Sequence, residues 1–201
     1  MQYTFTIPNL LTIFRLICSP LFLPFLIVYL LPLNVLWING AIALLFALLS
    51  LTDLFDGILA RALKQESVLG QMLDPIADKF LLYATLVSLL AANRIYFYWV
   101  VIFIGREFFM MGLRQIALEH NFVVKVSLLG KIKTTLQMIT LFIIILNPYQ
   151  SVLCCSNAVV WNGVELLMLG VTAFISLYSA QQYYQSFVKA FKSKTMGHKS
   201  V

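Results

Sequence analysis

Six stretches of this chain, roughly 8–31, 36–60, 72–92, 96–118, 129–147 and 160–188, are each apolar over the about 20 residues that a helix needs to cross a bilayer's hydrocarbon core. Runs of that length leave few folds open. Hydrophobic residues make up 61% of the 201-residue chain and charged ones 11%, whereas soluble domains carry about a quarter charged residues. A soluble domain of this length could not hide so much apolar surface. The expected fold class is therefore all-α and integral to the membrane. One domain of six transmembrane helices is expected over residues 1–190, followed by a basic tail over 191–201. The first run lacks a charged leader and a small-x-small site, so it is expected to be a helix and not a cleaved signal.

Basic residues set the expected orientation, because cytoplasmic connections are rich in Lys and Arg. Arg61 and Lys64 lie between the second and third runs. Lys125, Lys131 and Lys133 lie between the fourth and fifth, and Lys189, Lys192, Lys194 and Lys199 close the chain. The alternate connections carry Arg94 alone. Both termini are thus expected in the cytoplasm, or in the matrix of a mitochondrion. A net charge of +6 on that face suits the anionic headgroups of membrane lipids. Nucleic acid is a poor explanation for the basicity of so apolar a chain.

Proline punctuates the runs: Pro8 opens the first, Pro32 and Pro148 follow the first and fifth, and Pro20 and Pro24 should bend the first from within. Tyr183, Tyr184 and Phe187 read as an interfacial aromatic belt, and the chain beyond Phe191 is expected to fray. Cys18, Cys154 and Cys155 have no metal-ligand spacing and read as small apolar filler.

The chemistry concentrates in LTDLFDGILARALKQESVLGQMLDPIADKF, Leu51 to Phe80, which holds all four aspartates of the chain. Asp53 and Asp56 are three apart, Asp74 and Asp78 four apart, so each pair lies on one helix face. At about 1.5 Å per residue, Asp53 lies roughly 25 Å along the second helix, near its cytoplasmic end. The third helix runs back from there and brings its own pair to the same depth. Four clustered carboxylates cannot all stay ionised without cations. Two divalent ions, Mg²⁺ or Mn²⁺, about 3.5–4 Å apart would neutralise them and leave positions for a substrate phosphate. An all-oxygen donor set favours these hard cations over zinc. Gly57 and Ala60 leave room for a close approach, and Arg61 is a planar cation suited to phosphate.

Together these residues spell D-x2-D-G-x2-A-R-x8-G-x3-D-x3-D, with Gly70 as the second glycine. The pattern resembles the signature of the CDP-alcohol phosphotransferase family. The resemblance implies a six-helix membrane enzyme, commonly a homodimer, that moves a phosphatidyl-type group from a CDP-linked donor to an alcohol and releases CMP. It implies that Asp53, Asp56 and Asp74 ligate two metals. Asp78 would complete the site and act as general base on the acceptor hydroxyl. Gly57, Ala60, Arg61 and Gly70 would fit the cytidine diphosphate.

For the acceptor, Arg106 is well inside the fourth run and needs an anionic partner such as Glu107 or a substrate. Arg106, Arg114, Lys131 and Lys133 would bind a phosphorylated acceptor, which a neutral polyol would not require. Arg106-Glu107, Leu113-Arg114 and Gly130-Lys131-Ile132-Lys133-Thr134 are similar to the phosphatidylglycerophosphate synthase branch of the family. The opening IPNLLTIFRL is similar both to that branch and to cardiolipin synthases. Asn9, Thr12 and Arg15 recur every three residues there and are placed along the active cavity, with interhelical hydrogen bonding an equal reading. The fifth and sixth runs add only hydropathy. The resemblance implies CDP-diacylglycerol and sn-glycerol 3-phosphate as substrates, at a bacterial inner membrane with the active site facing the cytoplasm. The alternatives are a cardiolipin synthase, with phosphatidylglycerol as acceptor, and a cation transporter. Transporter sites, however, usually lie near the midplane on broken helices.

Overall fold

A computed structural model describes residues 17–63, 68–120, 128–149 and 156–197; within these, the side chains of 53–63, 68–78, 128–129, 131, 156–157 and 193–197 lie outside the description. Every regular element among them is helical. Helix α1 (Leu23–Leu30) is preceded by a π-helical turn (Cys18–Phe22) and followed by a 3₁₀ turn (Leu31–Leu33). Then come α2 (Leu36–Leu63), α3 (Val68–Ala91), α4 (Phe97–Glu119), α5 (Leu128–Leu146) and α6 (Ser156–Gly197). Among the described residues, each expected apolar run overlaps one observed helix. One helical stretch among the described residues, Ala158–Lys192, is long and apolar enough to cross a membrane. Shorter apolar stretches are Cys18–Leu33, Leu36–Thr52, Lys79–Ala91 and Ile132–Leu146.

The bend expected at Pro20 and Pro24 takes the form of the π turn, closed by the Leu23 N–H donating to the Cys18 carbonyl. Proline has no N–H and its ring crowds the carbonyl four residues back. A wider turn removes that clash, and Pro24 then falls in the first turn of α1, where its missing donor costs little.

The chain divides into two compact units, residues 1–96 with 141–165, and residues 97–140 with 166–201. In the first, α1 and its π turn pack on α3, and α2 packs against both α1 and α3. Leu23, Ile27 and Leu31, with Ile42, Phe46 and Leu49 of α2 and Leu82, Leu86 and Leu89 of α3, are buried in its core. Each set repeats at three or four residues, which is the stripe a packed helix needs.

Arg94 ties the ends of this unit together. Helix α3 stops in a Schellman turn: Asn93 adopts φ 55°, its N–H donates to the Leu90 carbonyl (3.0 Å), and the Arg94 N–H donates to that of Leu89 (2.8 Å). The buried guanidinium just beyond donates to the carbonyls of Leu31 (2.5 Å) and Asn147 (2.6 Å) and to Asn34 Oδ1. Asn39 Nδ2 shares the Asn147 carbonyl (3.1 Å), and Asn147 Nδ2 donates to Glu165 (2.8 Å). The connections after α1, α3 and α5 therefore meet at one end of the unit. Burial pulls the Arg94 pKa below its ordinary value, and the Glu165 charge acts against the shift.

In the second unit, Met110, Leu113 and Ala117 of α4 pack with Ala180, Tyr183 and Phe187 of α6. Here two expectations fail. Tyr183 and Phe187 are core residues and not an interfacial belt, while Tyr184 stays exposed beside Phe109. Helix α6 also runs six residues past Phe191, to Gly197. Phe191 stacks on Phe187 and meets the His120 ring, and these contacts carry the helix onward.

Candidate active site

Asp53 and Asp56 lie on α2 with Gly57, Ala60 and Arg61; Asp74 and Asp78 lie on α3 with Gly70. The two helices are successive in the chain and touch. The backbone thus supports the helical spacing read from the sequence, while the side chains of all eight residues lie outside the description. Asn9, Thr12, Arg15, Lys125, Cys154 and Cys155 also lie outside the described residues, and Cys18 is half-buried in the π turn.

The second unit holds a buried polar cluster around two of the expected phosphate-binding cations. Arg106 and Lys133 are both buried, and both contact the Glu107 carboxylate. Arg106 Nη1 lies 2.9 Å from Glu107 Oε1, and Lys133 Nζ pairs with the same oxygen. The remaining Arg106 donors go to α6: Nε to the Ser176 carbonyl (3.1 Å) and Nη2 to Ser179 Oγ (2.5 Å). One carboxylate thus sits between two cations from different helices, where an anionic group is favoured. Glu107 was foreseen as a partner for Arg106; Ser176 and Ser179 were not. Arg114 is exposed on α4, and the Lys131 side chain lies outside the description.

Nor do α5 and α6 contribute hydropathy alone. Lys133, Gln137 and Thr140 are buried on α5, and Thr172, Ser176 and Ser179 are buried on α6. Both series run i, i+4, i+7, which is one face of a helix. That repeat of polar residues inside apolar runs was the available sequence signal. Thr140 and Thr172 join their hydroxyls at 2.8 Å. Lys133 and Ser179 meet through the adjacent pair Glu107 and Arg106. These two links set α5 and α6 antiparallel within the unit.

Residues 5–185 match the family described as CDP-alcohol phosphatidyltransferase. The chain belongs to this family. Curated relatives that cover 89% of the chain and 93% of their own length agree. One from Escherichia coli (strain K12) is 37% identical over 185 residues, and one from Pectobacterium atrosepticum is 35% identical over 185. One from Shigella boydii is 36% identical over 186. All three carry the name CDP-diacylglycerol–glycerol-3-phosphate 3-phosphatidyltransferase. As a CDP-alcohol phosphatidyltransferase, the chain places its signature on the touching pair α2 and α3, and its Arg106–Glu107–Lys133 cluster on α4 and α5.

Proposed function

We propose that this CDP-alcohol phosphatidyltransferase moves the phosphatidyl group of CDP-diacylglycerol to sn-glycerol 3-phosphate, giving phosphatidylglycerophosphate and CMP. The observation that carries the reading is the 35–37% identity, over nearly the whole of both chains, to relatives bearing that activity's name. A buried pair of cations sharing one carboxylate suits an acceptor that brings its own phosphate.

Asp53, Asp56, Asp74 and Asp78 would hold two divalent cations, Mg²⁺ or Mn²⁺. The donor set fits such ions: four carboxylates, without imidazole or thiol, at helical spacing on two helices in contact. When bound, the ions supply charge stabilisation to the diphosphate and to departing CMP. Asp78 takes the proton of the acceptor hydroxyl, whose oxygen forms a bond to the phosphatidyl phosphorus as the bond from that phosphorus to the CMP oxygen breaks. Arg61 pairs with the diphosphate, and Gly57, Ala60 and Gly70 leave space for the nucleotide. Arg106 and Lys133, with Arg114 and Lys131, receive the acceptor's phosphate.

The setting is a membrane, with six spanning helices and both termini in the cytoplasm of a bacterial cell, as a homodimer in the inner membrane. Outward-facing Trp37, Phe25, Leu44, Phe108, Leu166 and Phe174, beside buried Arg, Lys and Glu, support lipid as the solvent.

Purified protein incubated with CDP-diacylglycerol, Mg²⁺ or Mn²⁺ and candidate acceptors is expected to release CMP with glycerol 3-phosphate. Release with phosphatidylglycerol alone would move the assignment to cardiolipin synthase. A lack of CMP with every acceptor would remove the transferase reading.

A further inference from the structure

Gln137 on α5 is 1% exposed, yet neither Nε2 nor Oε1 finds a hydrogen-bond partner among the described residues. Ser176 on α6 is 0% exposed, and its hydroxyl is equally without a partner there. A buried amide or hydroxyl without a partner is destabilising, so two such groups call for an occupant.

Their position narrows the choice of occupant. Thr140 meets Thr172 on one side, and Lys133 meets Ser179 through Glu107 and Arg106 on the other. In that antiparallel register Gln137 faces the level of Ser176, between two satisfied rungs. Gln137 lies four residues from Lys133, about 6 Å along the helix. A ligand whose phosphate sits on Lys133 and Arg106 would reach this rung with a hydroxyl four bonds from its phosphorus. The rung offers two N–H donors, a carbonyl acceptor and a hydroxyl that serves as either. It can donate to and accept from one alcohol at the same time.

We propose that Gln137 and Ser176 bind the C2 hydroxyl of the glycerol phosphate acceptor, the one that does not react, and so select an acceptor with an alcohol at that carbon. This rests on the reading of Arg106 and Lys133 as the acceptor-phosphate site. The pair orients the acceptor between its phosphate and its reactive C1 hydroxyl, and takes no part in proton transfer.

The test measures CMP release from CDP-diacylglycerol with sn-glycerol 3-phosphate and with 3-hydroxypropyl phosphate, which lacks only the C2 hydroxyl. Wild type is expected to prefer the natural acceptor in kcat/KM by about tenfold or more. Gln137→Leu and Ser176→Ala are expected to raise KM for glycerol 3-phosphate and to shrink the preference toward unity, with little change for the deoxy acceptor. Thermal unfolding in detergent should show Gln137→Leu folded, since it replaces an unsatisfied amide with an apolar side chain. Should that variant fail to fold, Ser176→Ala alone carries the comparison. A preference unchanged in a folded variant, or activity lost equally with both acceptors, overturns the proposal and leaves a structural water as the occupant. Wild type that is inactive with both acceptors overturns the function reading itself, a result distinct from lost selectivity.

Discussion

Two kinds of charged residue divide the work at the scale of single side chains. Asp53 and Asp78 stand at opposite ends of the signature, and their proposed roles differ. Asp53→Asn would remove a proposed metal ligand and should lower both divalent-ion affinity and turnover. Asp78→Asn should lose turnover far more than affinity, which Mn²⁺ binding and CMP release measured together will separate. Equal affinity losses would remove the base assignment. Lys133 tests the other site. Lys133→Met should raise KM for glycerol 3-phosphate about tenfold to a hundredfold, the equivalent of roughly 1.5–3 kcal/mol for a charge-assisted hydrogen bond, and leave kcat less affected. A fall in kcat at unchanged KM would argue against a ground-state phosphate contact.

Helix ends are where single residues hold whole elements. Arg94 looked like a stray cation on the less basic side, yet it gathers Leu31, Asn34 and Asn147 from two other connections. Removing it strands buried carbonyls and leaves Glu165 with less positive charge nearby. Arg94→Leu is therefore expected to cost about 3 kcal/mol or more, read as a lower thermal midpoint in detergent. The presence of each helix was legible, because about 20 apolar residues between polar or proline-containing connections leave little choice of element. The extension of α6 to Gly197 was not legible, since it depends on what Phe191 touches, and Phe187 and His120 are far apart in sequence.

Among the described residues, many large apolar side chains face outward while Arg94, Arg106, Lys133, Glu165 and Gln137 are buried. In water, burying a Leu or Phe side chain contributes about 1.5–3 kcal/mol. In the proposed lipid setting that driving force between helices would vanish, so packing and buried polar contacts would have to hold them together. The Arg94 knot and the α5–α6 rungs are such contacts. The topology follows from the same reading and can be measured. With native cysteines replaced, a cysteine at Val35 should react with an impermeant reagent in intact cells, and one at Lys192 only after the membrane is opened. Labelling of both sites in intact cells would refute the cytoplasmic C-terminus.

By itself the sequence determined the helical character, the number of apolar runs and the aspartate signature, because hydropathy and i, i+3, i+4 spacing are local properties of one helix. Only the tertiary structure decided which residues meet across helices: Glu107 between Arg106 and Lys133, Thr140 against Thr172, Arg94 on two other connections, and Tyr183 and Phe187 turned inward. Those pairings depend on how each helix is rotated and shifted against its neighbours. A residue on one helix carries no local mark of its partner on another.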